Sequence, residues 1–189
     1  VSLPPDKPRV AFQGERGAFS EEAALKLLGQ DIELVPQRTF AALYASIDNG
    51  EADYVLAPVV NTIAGFVQPS VDLLRQSRLF PVEEVEIQID QHLIGCLGAN
   101  FEAIATVQSH PVALAQCKRF FAEHPRLTAV SADDTAGSVA EVVKRGDATR
   151  AAIAGRRAAE LYGASIIRES IQDRPANFTR FVLLKGTES

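Results

Sequence analysis

Short runs of β-branched and aromatic residues alternate along this chain with alanine-rich stretches of helical spacing. That alternation predicts an α/β protein with a mainly parallel sheet, because parallel neighbours need helical crossovers. Arg9–Gln13 reads as a first strand, followed by a tight loop, Gly14 to Ser20. Ser20 is placed to N-cap a helix over Glu21–Leu28, with Glu21 and Glu22 in its first turn and Gly29 as its stop. Glu33–Gln37 reads as the second strand, Phe40–Asn49 as a helix capped by Thr39, Asp53–Val59 as the third strand and Pro69–Arg75 as a helix. The pattern then changes. Val82–Leu97 is long and alternates at Val85, Ile87 and Ile89 before His92–Leu97, which suits one strand crossing between lobes. A second series follows: strand 105–108, helix 111–124, strand 128–131, helix 135–145, strand 151–154, helix 156–162, and final strands over 165–169 and 180–185. Two α/β series joined by a long strand predict two lobes with a cleft between them, a common setting for a ligand.

Composition narrows the function classes. The 189 residues are 47% hydrophobic and 23% charged, which suits one domain or two small lobes. Lys and Arg number 19 against 24 Asp and Glu, a net charge of -5, and no Lys/Arg cluster appears, so a nucleic-acid-binding role is excluded. The longest uncharged stretch, Tyr54–Val71, is broken by Pro58, Asn61, Thr62, Gly65, Gln68 and Pro69, which excludes a membrane span there. Cys96 and Cys117 lie in largely apolar runs and read as reduced core residues of a cytoplasmic protein. Val1–Arg9 is polar and proline-rich, unlike a signal peptide. The absence of Met, even at position 1, is expected of numbering that starts inside a longer reading frame or after trimming.

Metal and nucleophile chemistry find no support in the spacing. His92, His110 and His124 do not space as ligands, and neither cysteine has a partner motif. Gly14-x-x-Gly17 lacks the third glycine of a dinucleotide fingerprint and reads as a bare turn. A repeated device is more informative. Gly17–Ser20, Asn61–Gly65, Ser109–Pro111 and Asp134–Ser138 each place Ser, Thr or Asn where a strand runs into a loop or helix start. Helix starts offer unpaired N–H groups and a positive dipole end, suited to carboxylates or phosphates; plain capping is the competing explanation for each. Arg180, between Thr179 and Phe181, adds a guanidinium able to grip a carboxylate with two parallel bonds, and a surface strand arginine is its competing explanation.

The wording of these motifs carries a resemblance. Residues 10–24, VAFQGERGAFSEEAA, resemble the opening of prephenate dehydratases, and so does Ser109–Cys117, SHPVALAQC. Asp133–Ser138, Ala158–Gly163 and the closing run Ile171–Phe181, with its Thr-Arg-Phe signature, are similar to further family segments, in family order from Arg9 to Leu184. The resemblance implies a two-lobed α/β fold like type II periplasmic binding proteins, with the active site in the inter-lobe cleft. It places residues 1–83 with 167–189 in one lobe and 84–166 in the other. It implies conversion of prephenate to phenylpyruvate with loss of water and carbon dioxide, in phenylalanine biosynthesis, with no cofactor and no metal. Thr179 is then the donor to the leaving hydroxyl, and Asn61, Ser109 and Gln116 match other polar pocket positions. Arg180 and the helix start Thr135, Gly137 and Ser138 are the expected carboxylate contacts, with Phe181, Thr62, Gly65 and Asn177 completing the substrate site. The expected partner is the small-molecule substrate, without nucleic acid or membrane, and a homodimer is left open.

Two departures shape the alternatives. The family usually has Pro-x-Glu-Asn-Ser/Thr at the third strand's exit. Here Pro58-Val59-Val60-Asn61-Thr62 puts Val60 at the glutamate, and Phe66 stands where a small residue is usual. A dehydratase tolerant of Val60, a shift to prephenate decarboxylation, an arogenate dehydratase, or a catalytically silent anion-binding homologue are the readings this leaves, and retention of Thr179 favours dehydration over decarboxylation. No ACT regulatory domain is expected after Leu184, and no chorismate mutase segment before Arg9.

Overall fold

A computed structural model of the chain describes residues 7–187. Two compact units emerge. The first comprises the chain up to Glu15, Phe19–Gln88, and the chain from Asn177 onward; the second comprises Arg16–Ala18 and Ile89–Ala176.

The first unit is built on strands β1 (Arg9–Gln13), β2 (Glu33–Gln37), β3 (Tyr54–Asn61), β4 (Gly65–Phe66), β5 (Leu79–Gln88) and β11 (Phe178–Gly186). Their order is β2-β1-β3-β11-β5, with β4 paired to the end of β3. β1 runs parallel to β2 and β3, whereas β11 is antiparallel to both β3 and β5, so the sheet is mixed rather than mainly parallel. β1 and β3 read as near-continuous apolar runs because both faces are covered. Helices α1 (Phe19–Leu28), α2 (Phe40–Ala45) and α3 (Gln68–Gln76) flank the sheet. Leu43 and Tyr44 of α2 pack with Ala11, Val55, Ala57 and Leu184 from three strands, and Leu73 and Leu74 of α3 close the same cluster. Helix α1 begins at Phe19, so Ser20 lies inside its first turn and not at its cap.

The second unit orders its strands β10-β6-β9-β7-β8: β6 (His92–Gly95), β7 (Thr106–Ser109), β8 (Thr128–Ser131), β9 (Arg150–Ala154) and β10 (Ser165–Arg168). β7 is parallel to β8 and β9, while β6 is antiparallel to β9 and β10. Helices α4 (Pro111–Ala115), α5 (Lys118–Glu123), α6 (Thr135–Arg145) and α7 (Arg156–Tyr162) accompany it. Its core gathers Leu93, Ile104, Val107, Cys117, Phe120 and Ile153. Gly17 passes so close to α7 that a Cβ there would lie 2.9 Å from the Ala158 Cα.

Two expected elements are divided. The long strand over Val82–Leu97 is two strands, β5 and β6, in different sheets, with Ile89–Gln91 between them. The single helix over 111–124 breaks at Gln116 and Cys117. There the Asp173 carboxylate accepts from the Lys118 N–H (3.1 Å) and the Arg119 N–H (2.9 Å), capping a new helix start from a distant part of the chain.

Candidate active site

In the first unit the candidate residues converge where β3 ends and β11 begins. The sheet register sets Thr179 directly opposite Asn61. Both are buried, and so is Asn177. Asn61 is the hub. Its Oδ1 accepts from the backbone N–H groups of Ile63 (2.9 Å) and Ala64 (2.8 Å), folding the chain into the turn between β3 and β4. With the oxygen committed to two backbone donors, the other end of the amide is fixed as the NH2. That Nδ2 donates to Thr179 Oγ1 (2.9 Å), Asn177 Oδ1 (2.7 Å) and the Phe178 carbonyl (3.0 Å). Thr62 clamps the same corner: its N–H donates to the Phe178 carbonyl at 2.9 Å and its Oγ1 accepts from the Phe178 N–H at 2.9 Å. Gly65 completes the hairpin opposite Asn61 with φ +80, a backbone conformation that glycine enters without cost. The chemical result is a threonine whose oxygen receives an amide N–H. Its own proton is therefore directed elsewhere, and negative charge developing on that oxygen is stabilised.

Arg180 does not join this cluster. Successive strand residues face opposite sides, so Thr179 and the buried Phe181 share one face of β11 and Arg180 takes the other. Its guanidinium is 3.9 Å from the Glu84 carboxylate, with about half of the side chain exposed. Val60 is Arg180's register partner on β3 and Phe66's on β4, so it shares the Arg180 face. Phe66 is 72% exposed.

The second unit holds the remaining candidates. Ser109 ends β7 fully buried, its hydroxyl donating to the Ile153 carbonyl at 2.6 Å. His110 caps α4 by accepting the Val112 N–H on Nδ1 (3.2 Å). Gln116 closes α4, and its Oε1 accepts from Gln91 Nε2 at 3.3 Å. At α6 the Asp134 carboxylate accepts the Gly137 N–H (2.6 Å), and the Ser138 hydroxyl donates to the Asp134 carbonyl (2.7 Å). This helix start therefore spends one N–H on its own cap, and Thr135 opens the helix beside it. Cys117 is buried and free of a disulfide; burial and the nearby Asp173 charge push its thiol up to about 12, so it stays protonated and is no nucleophile. Cys96 is a half-buried free thiol. Burial, then the Arg156 charge, lowers the pKa of His92, whose Nδ1 accepts the Ser170 N–H at 3.1 Å.

Sequence reasoning overlooked Gln91, Gln172 and Asp173, which hold Gln116 and α5 in place. No local pattern could have marked them, since Gln91 and Gln116 are 25 residues apart and Gln91 and Gln172 are 81 apart. Among the described residues there is no cluster of His, Cys, Asp and Glu able to hold a metal ion, and no helix is long and apolar enough to cross a membrane.

The chain is similar to several known proteins. A chloroplastic arogenate dehydratase/prephenate dehydratase of Arabidopsis thaliana is 38% identical over 178 residues, covering 94% of this chain and 45% of its own. A prephenate dehydratase from Arthrobacter aurescens, solved in complex with L-Phe, superposes with a TM-score of 0.86 at 27% identity, over 96% of this chain and 61% of that one. A solved quorum-quenching acylase gives a TM-score of 0.84 at 32% identity, over 96% and 65%. A periplasmic substrate-binding protein from Coxiella burnetii shares the fold alone, with a TM-score of 0.50 at 13% identity over 94% and 84%. The chain spans about half the length of the curated relatives it matches. The family model for prephenate dehydratase matches residues 10–189, and this chain belongs to the prephenate dehydratase family.

Proposed function

We propose that the chain converts prephenate to phenylpyruvate, water and carbon dioxide, as a step toward phenylalanine. The observation that carries the reading is the donor chain ending on Thr179: Ile63 and Ala64 fix the Asn61 amide, and Asn61 Nδ2 donates to Thr179 Oγ1. In the reaction, the bond from the ring to its carboxylate breaks and that electron pair enters the ring. The ring C–O bond then breaks toward oxygen, which leaves as water with a proton from the donor, and solvent returns that proton to the donor. Aromatisation drives the step, so the enzyme's task is to fix the ring and to supply a donor at the departing oxygen. A threonine hydroxyl is a weak acid by itself. The Asn61 N–H offsets this by stabilising the oxygen as its proton leaves, in a buried place where such a bond is strong. Ser109, Gln116 and the α6 start are further substrate contacts in this reading, supported by the motifs that carry them. Arg180, half exposed and 3.9 Å from the Glu84 carboxylate, keeps a guanidinium able to grip a substrate carboxylate in this reading. The two free thiols fit a reducing compartment.

The deciding experiment incubates the purified chain with prephenate at neutral pH and identifies the product. Phenylpyruvate establishes the reaction. A non-aromatic product that keeps its hydroxyl establishes decarboxylation, and saturable binding without turnover establishes a silent binder. Arogenate in a parallel assay ranks the two substrates by kcat/KM.

A further inference from the structure

Among the described residues, one buried side-chain oxygen has no hydrogen-bond partner: Oε1 of Gln91. Gln91 is 3% exposed and sits between β5 and β6. The rest of the residue is firmly held. Its N–H donates to Gln172 Oε1 (3.0 Å), its carbonyl accepts from the Ile171 N–H (2.8 Å), and its Nε2 donates to Gln116 Oε1 (3.3 Å). The strip 171–173 grips Gln116 as well, since the Asp173 N–H donates to the Gln116 carbonyl at 2.7 Å. Gln172 is fixed in turn by donating to Asp90 Oδ1 at 2.7 Å. Gln91, held by Ile171 and Gln172, and Gln116, held by Asp173, are thus anchored to one three-residue strip, and their side chains meet end to end. A buried acceptor left unmade is costly, and where one persists the reason is usually something other than folding.

We propose that Gln91 is a positioning residue that sets the amide orientation of Gln116, so that Gln116 turns its NH2 end toward the substrate. The proposal rests on the reading of Gln116 as a substrate contact made above. An amide can present either end. A donor from Gln91 on Gln116 Oε1 permits only the orientation with Nε2 outward, which is the end that can donate to an anionic substrate. The unpaired Oε1 is the cost of aiming the Gln91 NH2 at Gln116.

Three variants test this in the full chain, with prephenate turnover and thermal melting as readouts. Gln91→Met keeps the shape and removes both polar ends. It is expected to lower kcat by ten- to a hundredfold, the scale of a small misplacement in a preorganised site, with KM changed less than threefold and a melting temperature equal to or above wild type. Gln91→Glu keeps an acceptor and removes the donor. Its kcat is expected to be low at pH 8.5 and to recover toward pH 6, as protonation restores an O–H to Gln116 Oε1. Asp90, His92 and Asp173, the ionisable groups flanking the pair, are present in both variants, so Gln91→Met supplies their contribution. Adding Gln91→Met to Gln116→Met is expected to cost nothing further. A Gln91→Met enzyme with wild-type kcat, a loss that adds in full to that of Gln116→Met, or a flat pH ratio between the two Gln91 variants would each overturn the proposal. If Gln116→Met alone is harmless, the reading of Gln116 falls with it; if Gln116→Met is crippled and Gln91→Met is not, only the proposal falls.

Discussion

Replacing Thr179 by Val separates catalysis from folding more sharply than any other single change. Asn61 Nδ2 has two hydrogens and three acceptors within 3.0 Å: Asn177 Oδ1, the Phe178 carbonyl and Thr179 Oγ1. Deleting the threonine oxygen still leaves an acceptor for each hydrogen. Valine keeps the shape and the β-branch, so no cavity opens and no buried donor is orphaned. The cost to folding is then at most about 1 kcal/mol, the net worth of one ordinary hydrogen bond. The cost to catalysis is that of one preorganised donor, about 2.7–4 kcal/mol, or roughly a hundred- to a thousandfold in kcat. Phenylpyruvate formation gives kcat and KM, and urea unfolding gives stability. The expected result is a kcat lowered by at least a hundredfold, KM nearly unchanged, and an unfolding midpoint close to wild type. Thr179→Ser, which keeps the hydroxyl, should retain most of the activity. A Thr179→Val enzyme within tenfold of wild type would remove the hydroxyl from the mechanism. A loss of more than about 2 kcal/mol in stability would show that Asn61 needs all three acceptors.

Val60→Glu should fold as wild type, within about 0.5 kcal/mol, and leave kcat within a few fold, because position 60 shares the Arg180 face and not the Thr179 face; a large rise in kcat would show that a carboxylate there reaches the leaving group. Gly17→Ala should destabilise by about 2–4 kcal/mol in urea unfolding, combining φ +88 with a Cβ 2.9 Å from the Ala158 backbone, whereas Gly65→Ala, with φ +80 but open space, should cost about 1 kcal/mol; equal effects would refute the clash at Gly17. His92 has its pKa lowered in the fold, so below pH 6.5 the unfolded chain takes up a proton that the folded chain resists. Its contribution is complete above that pH and fades as the pH falls through the folded value. Urea unfolding from pH 7.5 down to 5 should show this loss in wild type and a smaller one in His92→Asn.

The parts of the fold that could be read from sequence are those whose signals are local. β1, β2 and β8 are short alternating or apolar runs bounded by polar turns, and α6 and α7 end on Gly146 and Gly163, both left-handed in the structure as a helix stop requires. The errors share a different cause. Nothing between Val82 and Leu97 announces that the chain changes sheets, because a strand's alternation looks the same whichever partner it pairs with. The break in the helix at Gln116 is imposed by Asp173, more than fifty residues later. The β4 pairing is two residues long and depends on the Asn61 turn. At the candidate site, Thr179, Asn61 and Asn177 were visible by motif, and their burial together follows from the β3–β11 register. Arg180 shows the limit: the motif puts it next to Thr179, but the strand's pleat turns it to the other side.

The interruption of the first unit between Gln88 and Asn177 bears on the order in which the chain folds. β11 is an inner strand, placed between β3 and β5, yet it follows residues 89–176 in the chain. Closing a flexible loop of that length costs about 3 kcal/mol more than closing a two-residue hairpin, at about 0.6 kcal/mol per doubling. The second unit removes most of that cost if it forms first. Its entry and exit are tied to each other by the Gln91–Ile171, Gln91–Gln172 and Asp90–Gln172 hydrogen bonds, so once folded it delivers β5 and β11 to each other in register, Gln88 opposite Phe178. During synthesis, residues 89–176 leave the ribosome as one nearly complete module while the first sheet still lacks an inner strand. With that order, the sheet that carries Asn61 closes last, and Thr179 reaches its amide partner in that closing step.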